Sequence, residues 1–219
     1  MRIRSVNVGM PAPLTSGGRT ARSGIVKAPV EGRVRARRHG LAGDGQADPR
    51  IHGGPDKAVY AYPVEHYAHW AAELGRDDLG PGCFGENLTV EGLLEDELAI
   101  GDVLRAGDAL FEISQPRMPC FKLEMRLERP GFMGPFLGSG RVGFYLRVLR
   151  EGGIAAGDAM VRERPAAGSM SVRDVALLLL DSATAEDLER GAAVAALSRG
   201  WRDRFARRAA RARRQPRLF

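Results

Sequence analysis

The chain has 219 residues, 44% hydrophobic, 27% charged and 6% aromatic, with a formal net charge of +6. That balance excludes a low-complexity polymer or a disordered tail, and a chain this long needs no disulfide framework to hold a core. No apolar run approaches the ~20 residues of a membrane span, and the N-terminal Met-Arg-Ile-Arg-Ser-Val-Asn lacks the apolar stretch of an export signal.

With only Cys83 and Cys120 in the chain, the expectation is two free thiols in a reducing cytoplasm. The positive charge is local. Residues 199–219 hold nine arginines against Asp203 alone, and the rest of the chain is slightly acidic. In a chain so rich in Ala, Gly and Arg, lysine is the less expected cation; only Lys27, Lys57 and Lys122 occur.

From residue 1 to about 165 the pattern is one of short apolar runs broken by Gly, Pro and Asp. They fall at 3–8, 24–27, 34–37, 57–62, 97–100, 102–105, 109–114 and 143–149, and Gly-Asp recurs at 43–44, 101–102, 107–108 and 157–158. Such spacing predicts strands joined by turns, as in an all-β barrel or sandwich. One helix interrupts them over 63–74. Pro63 supplies its first turn, Val64, Tyr67, Trp70, Ala71 and Leu74 share one face, and Gly75 stops it.

After Pro165 the period becomes helical. Ser171 with Asp174 predicts a capped helix running to Leu180, and Thr184 opens another to about Leu197. Ser198 precedes a third, with the apolar stripe Leu197, Trp201, Phe205, Ala209 and Ala212. The expected fold is mainly β: a barrel with one or more short helices over 1–163, then a small three-helix unit with an Arg-rich tail over 164–219. So small a bundle needs a barrel or a partner to pack against.

Three segments concentrate polar chemistry. The first runs from Gly40 to Lys57 and gathers Asp44, Gln46, Asp48, His52 and Lys57 among glycines and prolines, immediately before a strand. Such loops carry function on a rigid scaffold or serve as solvated connections. The second, Gln115-Pro-Arg-Met-Pro-Cys-Phe-Lys122, brackets Arg117 with prolines on the way into Cys120. Neighbouring cations favour a thiolate; a small buried hydrophobe is the competing reading, and pattern alone does not choose.

In the third, Gly82-Cys-Phe-Gly-Glu86-Asn87, a turn delivers a carboxylate and an amide ahead of a strand. The amide suits a heterocycle edge or a hairpin turn. Two other motifs are set aside. Gly138-Ser-Gly-Arg-Val-Gly143 is read as a glycine match with a Pro-rich loop before it and a strand after, the reverse of a dinucleotide site. His66 and His69 match no zinc spacing.

Taken in order, His52-Gly-Gly-Pro-Asp-Lys57, Phe84-Gly-Glu-Asn-Leu-Thr89 and Ser114-Gln-Pro-Arg-Met-Pro-Cys120-Phe-Lys122 resemble the MOSC domain. This module is shared with molybdenum cofactor sulfurase and the mitochondrial amidoxime-reducing component. The likeness covers about residues 1–163, and residues 170–212 resemble the helical appendage of the YiiM branch. It implies a β-barrel whose mouth holds a molybdenum cofactor (molybdopterin), with Cys120 as catalytic residue and molybdenum ligand. His52, Lys57 and Arg117 are implied partners of the pterin phosphate, Glu86 and Asn87 of the pterin edge, and Gly53 and Gly54 belong to the same implied cofactor-binding set. Asp44, Gln46 and Asp48 match a signature of the branch, with a supporting role in the cofactor site.

The implied activity is reduction of N-hydroxylated compounds such as 6-hydroxylaminopurine. No flavin or nicotinamide fingerprint is legible, so electrons come from a separate donor flavoprotein. The alternative activity is sulfur transfer through a persulfide on Cys120. A third reading, nucleic-acid binding by the Arg-rich helix, is weakened by its apolar stripe and by the lack of a stacking platform. A homodimer is compatible with this reading, as is a monomer. The basic run Arg35-Ala-Arg37-Arg38-His39 bears on substrate charge only if it faces the pocket.

Overall fold

A computed structural model describes residues 1–48 and 53–214. The strands, in chain order, are β1 (Arg2–Val8), β2 (Ala12–Ser16), β3 (Arg19–Ser23), β4 (Ala28–Pro29), β5 (Val34–Arg37), β6 (Gly40–Leu41), β7 (Val59–Pro63), β8 (Leu88–Glu91), β9 (Val103–Ala106), β10 (Ala109–Pro116), β11 (Phe144–Arg150), β12 (Gly152–Ile154) and β13 (Met160–Arg164). The helices are α1 (Tyr67–Leu74), α2 (Phe121–Leu127), α3 (Met133–Gly138), α4 (Val172–Leu177), α5 (Ala185–Ala193) and α6 (Arg199–Arg214). The protein is thus mostly sheet, with helices gathered toward its C-terminal end.

Eight strands form one sheet in the order β13-β9-β10-β11-β7-β8-β1-β4. Its pairs are antiparallel except β7 with β8. A parallel pair needs a crossover, and a short turn with α1 provides it. The sheet curls until β1 meets the residues just before β13. Arg2 bridges Ala159, and Ile3 N–H donates to Asp158 O at 2.9 Å while Gly157 N–H donates to Ile3 O at 2.8 Å. The expected barrel therefore takes the form of a curled sheet fastened along this seam. The smaller sheets β12-β5-β6 and β2-β3 lie outside the main ladder.

Local sequence explains much of this. In β5, Val34 and Ala36 are buried while Arg35 and Arg37 are exposed, the period-2 alternation of a strand with one wet face. Arg38 and His39 are exposed as well, so this basic run points away from the interior and says nothing about the substrate. β7 is buried throughout its Val-Tyr-Ala-Tyr-Pro sequence because apolar layers cover both of its faces.

One layer lies inside the curled sheet and continues into Val172, Val175, Leu188, Trp201 and Phe205 of the C-terminal helices. The other is an aromatic cluster of Tyr60, Tyr62, Trp70, Phe84, Phe132 and Phe136 beneath α1 and α3.

Several expectations are corrected. Residues 24–27 are no strand; they cross the mouth of the sheet as irregular chain. Residues 97–100 form a turn held by a single bridge from Ala99 to Ser171. The β2–β3 hairpin, α2 and α3 have no counterpart in the sequence reading. Because α3 precedes the Gly138–Gly143 motif, a helix stands where a Pro-rich loop was expected. The caps predicted at Ser171 and Thr184 are present, although their helices end sooner, at Leu177 and Ala193. Among the described residues, no helix is long and apolar enough to cross a membrane.

Candidate active site

The site is built where β7, β10 and β11 end together. The β10–β11 ladder closes with Pro116 opposite Phe144, and Arg117 N–H donates to Gly143 O at 3.2 Å one residue beyond it. The chain then turns through Met118 and Pro119 to Cys120, where α2 begins with Leu123 N–H donating to Cys120 O at 2.8 Å. The two prolines fix this path. Cys120 is thereby left half-buried with a free thiol, on the wall of a cavity of about 610 Å³ counted to its open mouth.

Arg117 is 5% exposed. Its Nη1 donates to Phe84 O at 2.6 Å and to Tyr60 Oη at 3.3 Å, and its guanidinium lies 4.7 Å from the Tyr60 ring centre. Contacts of this kind fix a planar cation and leave its other donors uncommitted. Tyr60 donates in turn to Val142 O at 2.8 Å, and Tyr145 of β11 stands 5.3 Å away, ring to ring. Burial pushes both phenols above their ordinary range, so they remain protonated.

The opposite wall comes from residues 23–27, the exit of the β2–β3 hairpin. Lys27 pairs with Asp44, and both side chains are more than nine-tenths buried. Asp44 also accepts from Gly9 N–H at 2.9 Å and from the Asn87 amide at 2.9 Å. Burial lowers the Lys27 ammonium below the usual lysine range, opposed by Asp44. Glycine shapes the groove in which this segment lies. At Gly85 (φ 80°) a Cβ would fall 2.5 Å from Ile25 Cγ1, and at Gly82 (φ 86°) 2.8 Å from Lys27 O.

Lys57 ends a single 3₁₀ turn, Pro55–Lys57, that runs into β7. This turn is tied down by Ser114, whose hydroxyl lies 2.6 Å from Asp56 O, and by an ion pair between Arg147 and Asp56 at 2.7 Å. Lys57 is lowered by burial, and it lines the cavity with Lys122 from the first turn of α2. All three lysines of the chain therefore face one cavity, joined there by Arg117.

The structure thus brings together Cys120, Arg117, Lys57, Asp44, Gln46 and Asn87. The last two are largely committed to the scaffold. Gln46 donates to Lys57 O at 3.4 Å, while the Asn87 amide accepts Tyr60 N–H at 3.1 Å and donates to Asn7 O and Asp44. Glu86 does not reach the cavity. Fully buried, it accepts from Tyr67, from Gly82 N–H at 2.7 Å, from Phe84 N–H at 3.1 Å and from Thr89 at 3.0 Å. Its expected place at the pterin edge is corrected to that of a carboxylate pinning the 82–86 turn.

Gly53, Gly54 and Asp48 lie outside the cavity lining, and His52 lies outside the described residues. Sequence reasoning missed Lys27, Tyr60 and Tyr145. For Lys27 the signal was present in the rarity of lysine. His66 is buried against Glu95, Nε2 to Oε2 at 2.7 Å, and His69 lies edge-on to Trp70. No group of three or more His, Cys, Asp or Glu suited to a metal ion occurs among the described residues.

Comparisons with known proteins agree with this geometry. The family profile of the MOSC domain matches residues 48–161. YflK of Bacillus subtilis (strain 168) is 40% identical over 204 residues, which cover 93% of this chain and 92% of YflK. The crystal structure of YiiM from Geobacillus stearothermophilus is similar with a TM-score of 0.80 at 35% identity, covering 95% of this chain and 98% of that one. A protein of Gibberella moniliformis (strain M3125 / FGSC 7600) named reductase is 39% identical over 147 residues, 65% of this chain but only 26% of that longer protein.

Proposed function

Because the chain belongs to the MOSC family, in its YiiM branch, we propose that the cavity beside Cys120 holds a molybdenum cofactor and that the protein reduces N-hydroxylated compounds of the 6-hydroxylaminopurine type. The net reaction takes R–NHOH, two electrons and two protons to R–NH₂ and water, with the electrons supplied by a separate reduced flavoprotein. The observation that carries this reading is the convergence of one half-buried thiol with three lysines and an arginine on a single cavity.

The residues fit the cofactor. A sulfur donor on a proline-fixed loop suits a soft, redox-active metal, and a cationic wall suits a phosphate-bearing pterin. The Cys120 thiolate would be the protein's ligand to molybdenum. Arg117, held rigid by Phe84 O and Tyr60, can grip a phosphate with its uncommitted donors, while Lys57 and Lys122 add point charges from two sides. The Lys27–Asp44 pair is nearly neutral and acts chiefly by holding residues 24–27 against the 82–87 turn. Two-electron redox chemistry comes from the cofactor, and the protein supplies binding, orientation and electrostatics. The Tyr145 phenol, kept protonated by burial, lines the same cavity wall.

The test is reduction of 6-hydroxylaminopurine by protein purified from a host that makes the cofactor, with dithionite-reduced methyl viologen as electron source. Wild type turns over and Cys120→Ala falls to background. Equal rates for the two overturn the assignment, and a sulfur adduct on Cys120 in molybdenum-free, inactive protein replaces it with sulfur transfer.

A further inference from the structure

The cavity opens beside a surface that the proposed chemistry has not used. Met118 and Phe121, which flank Cys120 in the chain, are 45% and 39% exposed, large apolar side chains left at the rim. Each is met by an arginine: Arg204 Nη1 donates to Met118 Sδ at 3.2 Å, and the Arg19 guanidinium lies 5.3 Å from the Phe121 ring centre. Helix α6 therefore meets the rim at Arg204.

The arginines of α6 divide into two sets. Arg199 pairs with Asp203, Arg213 with Glu189, Arg208 donates to the carbonyls of Leu178 and Leu180, and Arg202 is half-buried. Arg204, Arg207, Arg211 and Arg214 have no carboxylate partner among the described residues, and all four are exposed. With 3.6 residues per turn, these four lie within about 80° of the helix circumference and span about 15 Å. The opposite face, Trp201, Phe205 and Ala209, is buried against the body. The result is a one-sided cationic stripe fixed to the rim of the cavity, on a chain otherwise slightly acidic.

From this we infer that the stripe, with Met118 and Phe121 at its head, is the docking surface for an acidic electron-donor flavoprotein. Unpaired like charges at this density steer an oppositely charged partner, and an apolar centre beside a charged border is the usual build of a specific interface. A nucleic acid fits less well. Phe121 is the one exposed Phe, Tyr or Trp ring among the described residues, so successive bases have no row of rings to stack on. The inference rests on the reductase reading: a reduced flavin on the docked partner gives up the two electrons that the N–OH reduction consumes and becomes oxidised flavin.

The experiment compares the cofactor-loaded full chain with the variant R204E/R207E/R211E/R214E and with its gentler counterpart R204Q/R207Q/R211Q/R214Q. Two electron sources are used: reduced methyl viologen, which needs no docking, and reduced flavodoxin as an acidic flavoprotein probe. Flavodoxin binding is also measured by calorimetry at low and at physiological ionic strength. The expected results are unchanged methyl viologen rates, a loss of about tenfold or more in kcat/KM and affinity for flavodoxin in the Glu variant, a smaller loss in the Gln variant, and a salt dependence that disappears with the charges.

A wild type that takes no electrons from flavodoxin, or variants that match it, overturns the docking surface while leaving the methyl viologen activity standing. Failure of wild type with methyl viologen overturns the reductase reading itself. Duplex DNA binding that disappears in the variants while flavodoxin kinetics hold steady assigns the stripe to nucleic acid instead.

Discussion

Lys27 and Asp44 are each more than nine-tenths buried, so neither charge has water to fall back on. Removing one partner of such a pair leaves an uncompensated buried charge. The two removals are unequal. Without Lys27, Asp44 still accepts from Gly9 and Asn87. Without Asp44, an ammonium is stranded together with both of those donors. Denaturant unfolding is therefore expected to show a loss of about 3–5 kcal/mol for Asp44→Ala and a clearly smaller loss for Lys27→Met.

The pH dependence has a definite sign. Burial holds the folded-state Lys27 below its ordinary 10.5, so on alkalinisation the native state releases this proton before the unfolded state does. Stability from this group then rises with pH up to that value. The deficit of Asp44→Ala should be largest near neutrality and shrink toward pH 10; a deficit that grew with pH would contradict the buried-ammonium account. The thiols give a second contrast. Burial, with Glu86 nearby, pushes Cys83 up to about 12, whereas Cys120 lines an open cavity. Iodoacetamide at pH 8 should label Cys120 alone in the native protein and both cysteines after unfolding, read by peptide mass spectrometry.

Among the elements, residues 24–27 position Lys27 without any regular structure to hold them. Close packing on Gly82 and Gly85, at conformations that an L side chain resists, holds them, together with the Lys27–Asp44 pair. Gly85→Ala is expected to cost about 1–3 kcal/mol of strain and to displace Ile25, and with it Lys27, so its cofactor content should fall further than its fold does. Retention of both stability and cofactor would show that this groove is not what orders the wall.

The same segment marks the limit of what the sequence discloses. Strand 34–37 and the face of the helix around Trp70 were legible because their periodicity reports burial directly. The 24–27 run looks like a strand by composition, yet its partners are backbone atoms of glycines sixty residues away. Likewise α2 and α3 are too short for a helical period to emerge, and α3 contains Pro135 and two glycines. In the site, Cys120, Arg117 and Lys57 were readable from motifs. Glu86 was read as a ligand contact because a motif cannot show whether a polar group's bonds are already taken; Asn87, read the same way, does line the cavity, with its amide shared among Tyr60, Asn7 and Asp44.

For the molecule as a whole, charge is segregated. Three lysines and Arg117 line one cavity, and four exposed arginines without a carboxylate partner among the described residues lie along one face of α6, which meets the rim at Arg204. The C-terminal helices share a continuous apolar core with the curled sheet, so this basic face is carried rigidly relative to Cys120 and cannot drift as a tethered tail would. On the proposed reading, substrate chemistry and electron supply would occupy adjacent surfaces, with the Pro116–Cys120 loop between them.

The account stands on the cofactor being held through one sulfur. Its most direct test is the molybdenum and pterin content of wild type and Cys120→Ala, purified in parallel from a cofactor-producing host. Near-equimolar molybdenum and pterin in wild type, with most of the metal lost from the variant at unchanged thermal stability, is the predicted result. Wild type free of both, or a variant that retains as much molybdenum as wild type, contradicts it.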